Sequence, residues 1–259
     1  METSPLVSVI TPLYNQEAFL EETANSLLGS DYAHMEWIIV DDGSTDSSPE
    51  IAKRLADRYP WIFFFSQTNA GPSAARNTAI GFAKGTYILP LDADDLISSH
   101  YIREAVDVFQ RRPEVKVVYC EAEKFGAKTG PWKLKPFSRA QLAQGNMIFV
   151  TAMYRKCDWE AVGGYAEEMT WGFEDWEFWI AMLKESGEVV KLPFTGFYYR
   201  IRGGSRRKSV DQRARQLTYQ FINEKHRDFI YLHLKGPIRS SKTWSKPVNT
   251  ILHWLGIRY

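Results

Sequence analysis

The stretch Tyr87-Ile-Leu-Pro-Leu-Asp-Ala-Asp-Asp-Leu96 runs from a short apolar strand directly into three carboxylates. Asp92, Asp94 and Asp95 lie within four positions, where repulsion and desolvation both oppose ionisation at the end of a buried strand. A divalent cation with oxygen ligands, its shell completed by diphosphate oxygens, would neutralise them. The alternative is a solvated loop that caps the next helix, and for an isolated Asp-x-Asp that alternative is the commoner one. The rest of the chain has to decide between the two.

Strand and helix patterns alternate with short connections in the first half of the chain. Apolar runs predict strands at residues 7–10, 37–40, 61–65 and 87–91, and amphipathic helices lie between them. This alternation predicts an α/β fold: an open, mostly parallel, twisted sheet flanked by helices. Further on, the apolar run 147–150 predicts another strand, and residues 171–183 predict a helix that begins with two carboxylates.

Polar residues follow each predicted strand of this sheet. They are Pro12-Leu-Tyr-Asn15, Asp41-Asp-Gly-Ser44, the loop before Arg76, and Asp92-Ala-Asp-Asp95. In an open parallel sheet, ligands bind beyond the carboxyl ends of the strands. We therefore expect these four segments to meet on one rim and form a ligand site.

Composition limits the class of protein. The chain has 259 residues, of which 44% are hydrophobic and 14% aromatic, and only two cysteines. That length supports a substantial core, and two separate cysteines argue against a disulfide framework or a zinc site. A membrane-spanning helix is not expected, because the sequence contains no run of about 18 apolar residues. The N-terminus also lacks the pattern of a signal peptide. We expect a cytoplasmic protein with no nucleic-acid partner.

The net charge of +1 hides a marked asymmetry. Residues 200–259 contain 14 Lys/Arg and 3 Asp/Glu, whereas residues 1–199 contain 18 and 28. An acidic body with a basic tail fits a metal-dependent enzyme beside an anionic surface, and it fits a solvated basic helix equally well. We predict a catalytic domain at 1–205 and a basic helical extension at 206–259.

The end of that extension has an apolar set at helical spacing: Val248, Ile251, Leu252 and Leu255. Such a helix either packs against the body of the protein or lies in the head-group region at the inner face of a membrane. Docking is favoured, because most amphipathic helices of globular chains face their own core.

Five motifs, in order, resemble those of the family-2 glycosyltransferases, whose members have the GT-A fold. They are VSVITPLYN (7–15), IIVDDGSTD (38–46), NAGPSAARN (69–77), LDADD (91–95) and GFED (172–175). The resemblance implies a nucleotide-binding half at about 5–120 and an acceptor half at about 121–205. It implies inverting transfer of a sugar from a nucleoside-diphosphate sugar, in the first place a UDP-sugar, to a hydroxyl of a glycan or lipid-linked acceptor. Cell-surface polysaccharide synthesis is the setting typical of such enzymes.

The resemblance also assigns residues to the donor. Asp41 would accept from the imide N–H of the base, with Asp42 nearby on the nucleoside, because a carboxylate is a pure acceptor. Contacts to the nucleoside or diphosphate fall to Pro12, Tyr14, Asn15, Arg76, Asp92, Arg200 and Ser205. The ordinary alternatives are a turn with a helix cap at Asp42 and a surface salt bridge at Arg76.

The same resemblance assigns the cation and the reacting groups. Asp94, with Asp92, would hold Mg²⁺ or Mn²⁺, and Asp175 would be the general base beside Glu174. A helix N-terminus lowers the basicity of Asp175, and both acids also suit ordinary first-turn positions. Trp171 and Trp176 are the candidate acceptor contacts.

The single-addition type is indicated, because the long membrane spans and the Gln-x-x-Arg-Trp motif of processive synthases are both missing from the sequence. One rival is a nucleotidyltransferase, which would need a glycine-rich loop after the first strand. Another is a non-catalytic sugar- or anion-binding module that uses the basic tail.

Overall fold

The first four strands build the parallel half of one sheet. The protein is described here by a computed structural model that covers residues 4–202, 212–239 and 244–257. The strands are β1 (Val7–Leu13), β2 (Met35–Asp41), β3 (Ile62–Ser66) and β4 (Tyr87–Pro90). β1 lies between β2 and β4, and β2 pairs with β3, all in parallel. The strands read as continuous apolar runs because helices cover the sheet on both faces.

Helices connect these strands, as the alternating pattern predicts. They are α1 (Leu20–Leu28), α2 (Ser48–Arg58) and α3 (Pro72–Phe82), and α4 (Tyr101–Arg111) follows the short strand β5 (Leu96–Ile97). Helices α2 and α3 each have a proline in the first turn, where its missing N–H is not needed. Every strand end of this half therefore opens toward the same edge of the sheet.

The second half of the sheet is mixed. Its elements are β6 (Val115–Gly126), β7 (Gly130–Trp132), α5 (Arg139–Leu142), β8 (Met153–Arg155), α6 (Lys156–Val162) and β9 (Glu188–Ile201). Within the described residues the strand order is β3-β2-β1-β4-β8-β6-β9-β5, with β7 paired to β6. β8 is antiparallel to both neighbours, while β6 and β9 are parallel. The predicted α/β class with a mostly parallel sheet is confirmed.

Two local predictions in this half are wrong. Residues 147–150 form no strand, although the first three are buried, and the strand nearby is β8. The helix predicted at 171–183 begins later: α7 spans Glu174–Leu183. Gly172 and Phe173 precede it with φ of 108° and 65°, in the left-handed region, so the chain cannot enter the helix earlier.

The C-terminal extension is helical and packs on the body. It consists of α8 (Gln212–Lys225), α9 (Arg227–Leu234) and α10 (Ser245–Trp254). Tyr219, Ile222 and Phe229 belong to the same hydrophobic cluster as the sheet. The apolar set of α10 is divided: Val248 and Leu252 are half-buried, whereas Ile251 and Leu255 are exposed, so the prediction that it docks through this set holds for only two of its four members. No described helix is both long and apolar enough to cross a bilayer.

Candidate active site

Two cavities meet at the carboxyl edge of the parallel strands. The first, here the strand-end cavity, has a volume of about 790 Å³ and is lined by residues from the predicted rim, including Pro12, Tyr14, Asn15, Asp42, Arg76, Asp92, Asp94 and Arg200. The second, here the aromatic cavity, has a volume of about 480 Å³ and is lined by Trp132, Asn146, Phe149, Phe173, Asp175, Phe197 and Arg215, among others. Arg76, Asp92, Glu174 and Tyr199 line both. The predicted rim residues and the predicted base thus lie around one divided cleft.

Arg76 forms the wall between the cavities. It lies in the first half of α3 and is only 3% exposed. Its Nη1 donates to Glu174 Oε1 at 3.0 Å, and its Nη2 donates to Asp92 Oδ1 at 2.8 Å. Burial by itself would lower the pKa of Arg76, but Asp92 and Glu174 outweigh it and raise that pKa above its ordinary value. One permanent cation therefore ties the acidic loop after β4 to the start of α7.

The acidic loop takes its remaining positive partners from the end of β9. Arg202 Nε lies 3.1 Å from Asp94 Oδ2, and the Arg200 backbone N–H donates to Asp95 Oδ1 at 2.8 Å. Burial and the charge of Asp92 raise the pKa of Asp94. Burial, followed by Asp94 and Asp92, raises the pKa of Asp95 well above its usual range. The loop holds more negative charge than these partners neutralise.

This loop fits a divalent cation only with help from a ligand. The described residues contain no group of three or more His, Cys, Asp or Glu side chains placed to hold a metal ion. Asp92 and Asp94 provide hard oxygen donors on one cavity wall, and Mg²⁺ commonly takes one or two carboxylates, with substrate phosphates and water as its other ligands. The raised pKa of Asp94 is what an added cation would relieve.

Asp175 lies at the base of the aromatic cavity with one partner on each oxygen. Asn146 Nδ2 donates to its Oδ2 at 2.6 Å, and the Trp176 backbone N–H donates to its Oδ1 at 2.8 Å. Burial, followed by the charge of Glu174, raises the pKa of Asp175 to about 7. The expected loss of basicity at a helix N-terminus is therefore outweighed by desolvation. The carboxylate is poised to accept a proton near neutral pH.

Other sequence-predicted residues lie in varied positions. Asp42 lines the strand-end cavity, but its carboxylate accepts from Gln67 Nε2 and from the backbone N–H groups of Ala70 and Gly71, at 2.8–2.9 Å. Asp41 is buried and accepts from the Ser44 N–H at 3.3 Å. Both carboxylates order the loops that form the cavity wall. Their assignment to the base stays a prediction.

The two tryptophans predicted as acceptor contacts are placed elsewhere. Trp176 is completely buried, and its Nε1 donates to Leu142 O at 2.7 Å, so assigning it to the acceptor is wrong. Trp171 is half-buried and donates from Nε1 to Thr218 Oγ1 of α8 at 3.0 Å. It anchors the extension instead of facing the aromatic cavity. Ser205 lies outside the described residues.

Sequence reasoning missed Asn146 and Arg215 as cavity residues. Asn146 lies in an irregular segment with no motif, and Arg215 lies on α8 among many basic residues. Neither residue is marked by a local sequence motif, because each reaches the cavity only when segments that are distant in the sequence fold together.

We expect Arg76→Met to lower the free energy of unfolding by about 3 kcal/mol, because it leaves two carboxylates at the cleft without their shared cation. Urea unfolding measures this. Adding Glu174→Gln should restore part of the loss. The matched control is Arg54→Met, since Arg54 is 63% exposed and pairs with Glu21 at 3.5 Å; it should change stability by less than about 0.5 kcal/mol. Equal behaviour of the two variants would contradict the bridging role.

Known proteins with similar sequences include glycosyltransferases. The pattern of the family Glycosyl transferase family 2 matches residues 8–170, and that described as the N-terminal domain of galactosyltransferase matches residues 141–203. An uncharacterized glycosyltransferase of Haemophilus influenzae is 41% identical over 104 residues, which are 40% of this chain and 42% of that protein. The chain thus spans less than half the length of this curated relative.

Solved structures resemble the whole fold. TarS of S. aureus in complex with UDP-GlcNAc superposes with a TM-score of 0.72 at 22% identity, covering 88% of this chain and 71% of that one. The mannosyltransferase PcManGT of Pyrobaculum calidifontis, in complex with GDP-Man and Mn²⁺, gives 0.68 at 19% identity, covering 98% and 76%. Likeness at this identity establishes the fold alone. Because the family pattern spans more than half of the sequence and the sheet matches these structures, the chain belongs to glycosyl transferase family 2 and has the GT-A fold.

Proposed function

We propose that this protein transfers one sugar from a nucleoside-diphosphate sugar to a hydroxyl group of a glycan or lipid-linked acceptor, with inversion at the anomeric carbon. The observation that carries the proposal is the meeting of the acidic loop and Asp175 at a wall shared by two cavities. One cavity takes the donor and the other takes the acceptor. The reaction then occurs where they join.

The strand-end cavity suits a nucleoside diphosphate. Tyr14 is 47% exposed, which leaves its ring available to a base or ribose. Arg200 and Arg202 also line this cavity, and their guanidinium groups would pair with phosphate oxygens. A uridine donor is the first choice, and TarS, which shares the fold, binds UDP-GlcNAc. Arg202, which pairs with Asp94 here, would turn to the diphosphate when the donor enters.

Asp94 and Asp92 would hold Mg²⁺ or Mn²⁺ together with the donor's diphosphate. Such an ion supplies Lewis-acid stabilisation of the charge on the departing nucleoside diphosphate. Arg76 would stay between this loop and Glu174, since its guanidinium is buried and pairs with both carboxylates. The chain's own basic residues would add to the stabilisation of the leaving group.

The aromatic cavity suits the acceptor. Aromatic rings such as Trp132, Phe149 and Phe173 line it, and their faces pack well on the apolar C–H surfaces of sugars or on a lipid chain. Asp175 would take the proton of the acceptor hydroxyl as that oxygen bonds to the anomeric carbon and the bond to the phosphate oxygen breaks. The Asn146 amide fixes the position of the carboxylate. Arg215 adds a cation that would favour an acceptor with a negative group.

We expect Asp175→Asn to reduce sugar transfer by about 10²–10⁴-fold, because it removes the proton acceptor. The protein should remain folded and should be more stable than the wild type at pH 8. Burial raises the pKa of this carboxyl group from an ordinary 3.8 to about 7 in the folded protein, so its ionisation opposes folding as pH rises through that window. Thermal unfolding and product release measure the two effects. The control Asp57→Asn changes an exposed carboxylate of α2; if both variants were fully active, Asp175 would not be the base.

The pH profile gives a second test. We expect kcat/KM to fall about tenfold per pH unit below about 7, because only ionised Asp175 accepts the proton. The Asn146 bond lowers the pKa of Asp175, so Asn146→Ala should move the acid limb to higher pH and lose less activity at pH 9 than at pH 7. Gln141→Ala, an exposed amide of neighbouring α5, should leave the limb in place. An unmoved limb in Asn146→Ala would contradict this role.

Thermal shift tests the donor and the cation. A ligand that binds only the folded state raises the unfolding temperature, so we expect UDP-sugars with Mn²⁺ to give the largest increase. Asp94→Asn should remove the part that depends on Mn²⁺, while Asp228→Asn, in the extension, should not. A larger increase with a GDP-sugar would overturn the choice of uridine alone. No increase with any nucleotide would overturn the donor site.

A further inference from the structure

The last described helix, α10, contacts the end of α9 and the loop after it through polar residues, and its Val248 and Leu252 are half-buried. Asn249 is buried; its Nδ2 donates to Leu234 O at 3.1 Å and to Pro237 O at 2.9 Å, and its Oδ1 accepts from Arg239 Nε at 2.7 Å. Ser245 is also buried, and its Oγ accepts from the Arg239 backbone N–H at 2.9 Å. Buried amides with several hydrogen bonds fix the rotation of a helix. The outward face of α10 is therefore specified.

That outward face is apolar. Trp244, Ile251 and Leu255 recur at positions i, i+7 and i+11, which lie on one side of a helix, and they are 65%, 57% and 58% exposed. Trp254 beside them is 84% exposed, and Ile257 follows at 49%. This is the reverse of a helix packed on its own core, where polar residues face water. Two large aromatic rings exposed to water in one apolar patch mark a contact site for a partner.

Two exposed lysines lie close to α10. Lys235 directly follows Leu234, which accepts a hydrogen bond from Asn249, and Lys246 lies in the first turn of α10. Partial burial, followed by Lys246 and Arg139, lowers the pKa of His233 on α9. The potential next to α10 is thus positive, which selects against a cationic partner and favours an anionic one.

We propose that the exposed face of α10 inserts into the interface of an anionic lipid bilayer. Tryptophan is enriched at the level of lipid head groups, and an amphipathic helix with basic neighbours lies in that plane with its apolar side toward the acyl chains. Lysines beside it would pair with anionic head groups.

Other occupants of the face fit less well. The neighbouring part of the extension does not cover the face, because the hydrogen bonds of Asn249 hold the opposite side of α10 against the end of α9 and the loop after it. A second copy in a twofold arrangement would bring the same basic surroundings face to face, which costs free energy unless anions intervene. A bilayer with negative head groups satisfies both the apolar face and the charge.

Membrane binding by α10 is independent of the transfer reaction, but it has a consequence for it. The extension reaches the site: Arg215 of α8 lines the aromatic cavity, and His226 Nε2 lies 2.6 Å from the buried Glu177 of α7. A bilayer that holds α10 would thus hold the segment that lines the acceptor side. A lipid-linked acceptor in the same membrane would gain effective concentration.

Vesicle flotation of the full chain tests the proposal. We expect the protein to bind vesicles that contain phosphatidylglycerol and to bind pure phosphatidylcholine vesicles at least about tenfold more weakly. Ile251→Ser with Trp254→Ser should weaken binding to the anionic vesicles at least about tenfold. The matched control is Phe82→Ser, since Phe82 of α3 is 49% exposed; it should bind as the wild type does. Lys246→Glu should weaken binding, and Lys53→Glu, on α2, should not.

The double variant should keep the wild-type unfolding temperature, because it changes only side chains that already face water. Equal vesicle binding by the double variant and the wild type would overturn the proposal, as would no binding of the wild type to anionic vesicles. A dimer in solution that the double variant dissociates, without vesicle binding, would assign the face to a second copy. These results do not depend on catalysis, so failure here and failure of the proposed transfer are distinguishable.

Discussion

The site depends on the buried guanidinium of Arg76. Asp92 and Glu174 come from segments more than 80 residues apart, and each needs a positive partner at a cleft where water is scarce. Arginine meets both because its planar group presents donors in two directions, which a lysine ammonium would not do with the same geometry. The Nε of Arg76 has no hydrogen-bond partner among the described protein atoms. The unpaired Nε destabilises the site, but the two ion pairs of Arg76 fix the distance between the acidic loop and α7.

The same constraint explains the chemistry available to Asp175. A carboxylate at a helix N-terminus is ordinarily a weak base, yet burial raises the pKa of Asp175 to about 7. Arg76 forms its ion pairs with Glu174 and Asp92, so its charge offsets only part of the increase in the pKa of Asp175. Phe173, with φ of 65°, is held in a strained conformation directly before the pair. Both features destabilise the folded protein locally, at the carboxylate that we propose as the proton acceptor.

Sequence alone predicted the parts of the site that follow from local rules. Strand ends with polar residues locate the rim, because parallel strands all present their carboxyl ends to one edge; Pro12, Asp42 and Asp92 line a cavity there. It could not predict Asn146, since the apolar run that follows has the composition of a strand, whereas Ile148 and Phe149 line the cavity without forming one. Trp176 shows the converse: its position next to the acids suggested contact with the acceptor, yet the helical turn directs it into the core.

The extension shows why amphipathic pattern and orientation are separate questions. The apolar set of α10 predicted a docked helix, because apolar area usually decides which side is buried. Here hydrogen bonds from Asn249 decide it. A buried amide without partners costs about 1–3 kcal/mol. Because the loop from Leu234 to Arg239 presents carbonyl and N–H groups to Asn249, the helix turns its polar side inward. The apolar side of α10 stays exposed, and the same extension contacts α7, the helix that carries Asp175, through Lys225 and His226.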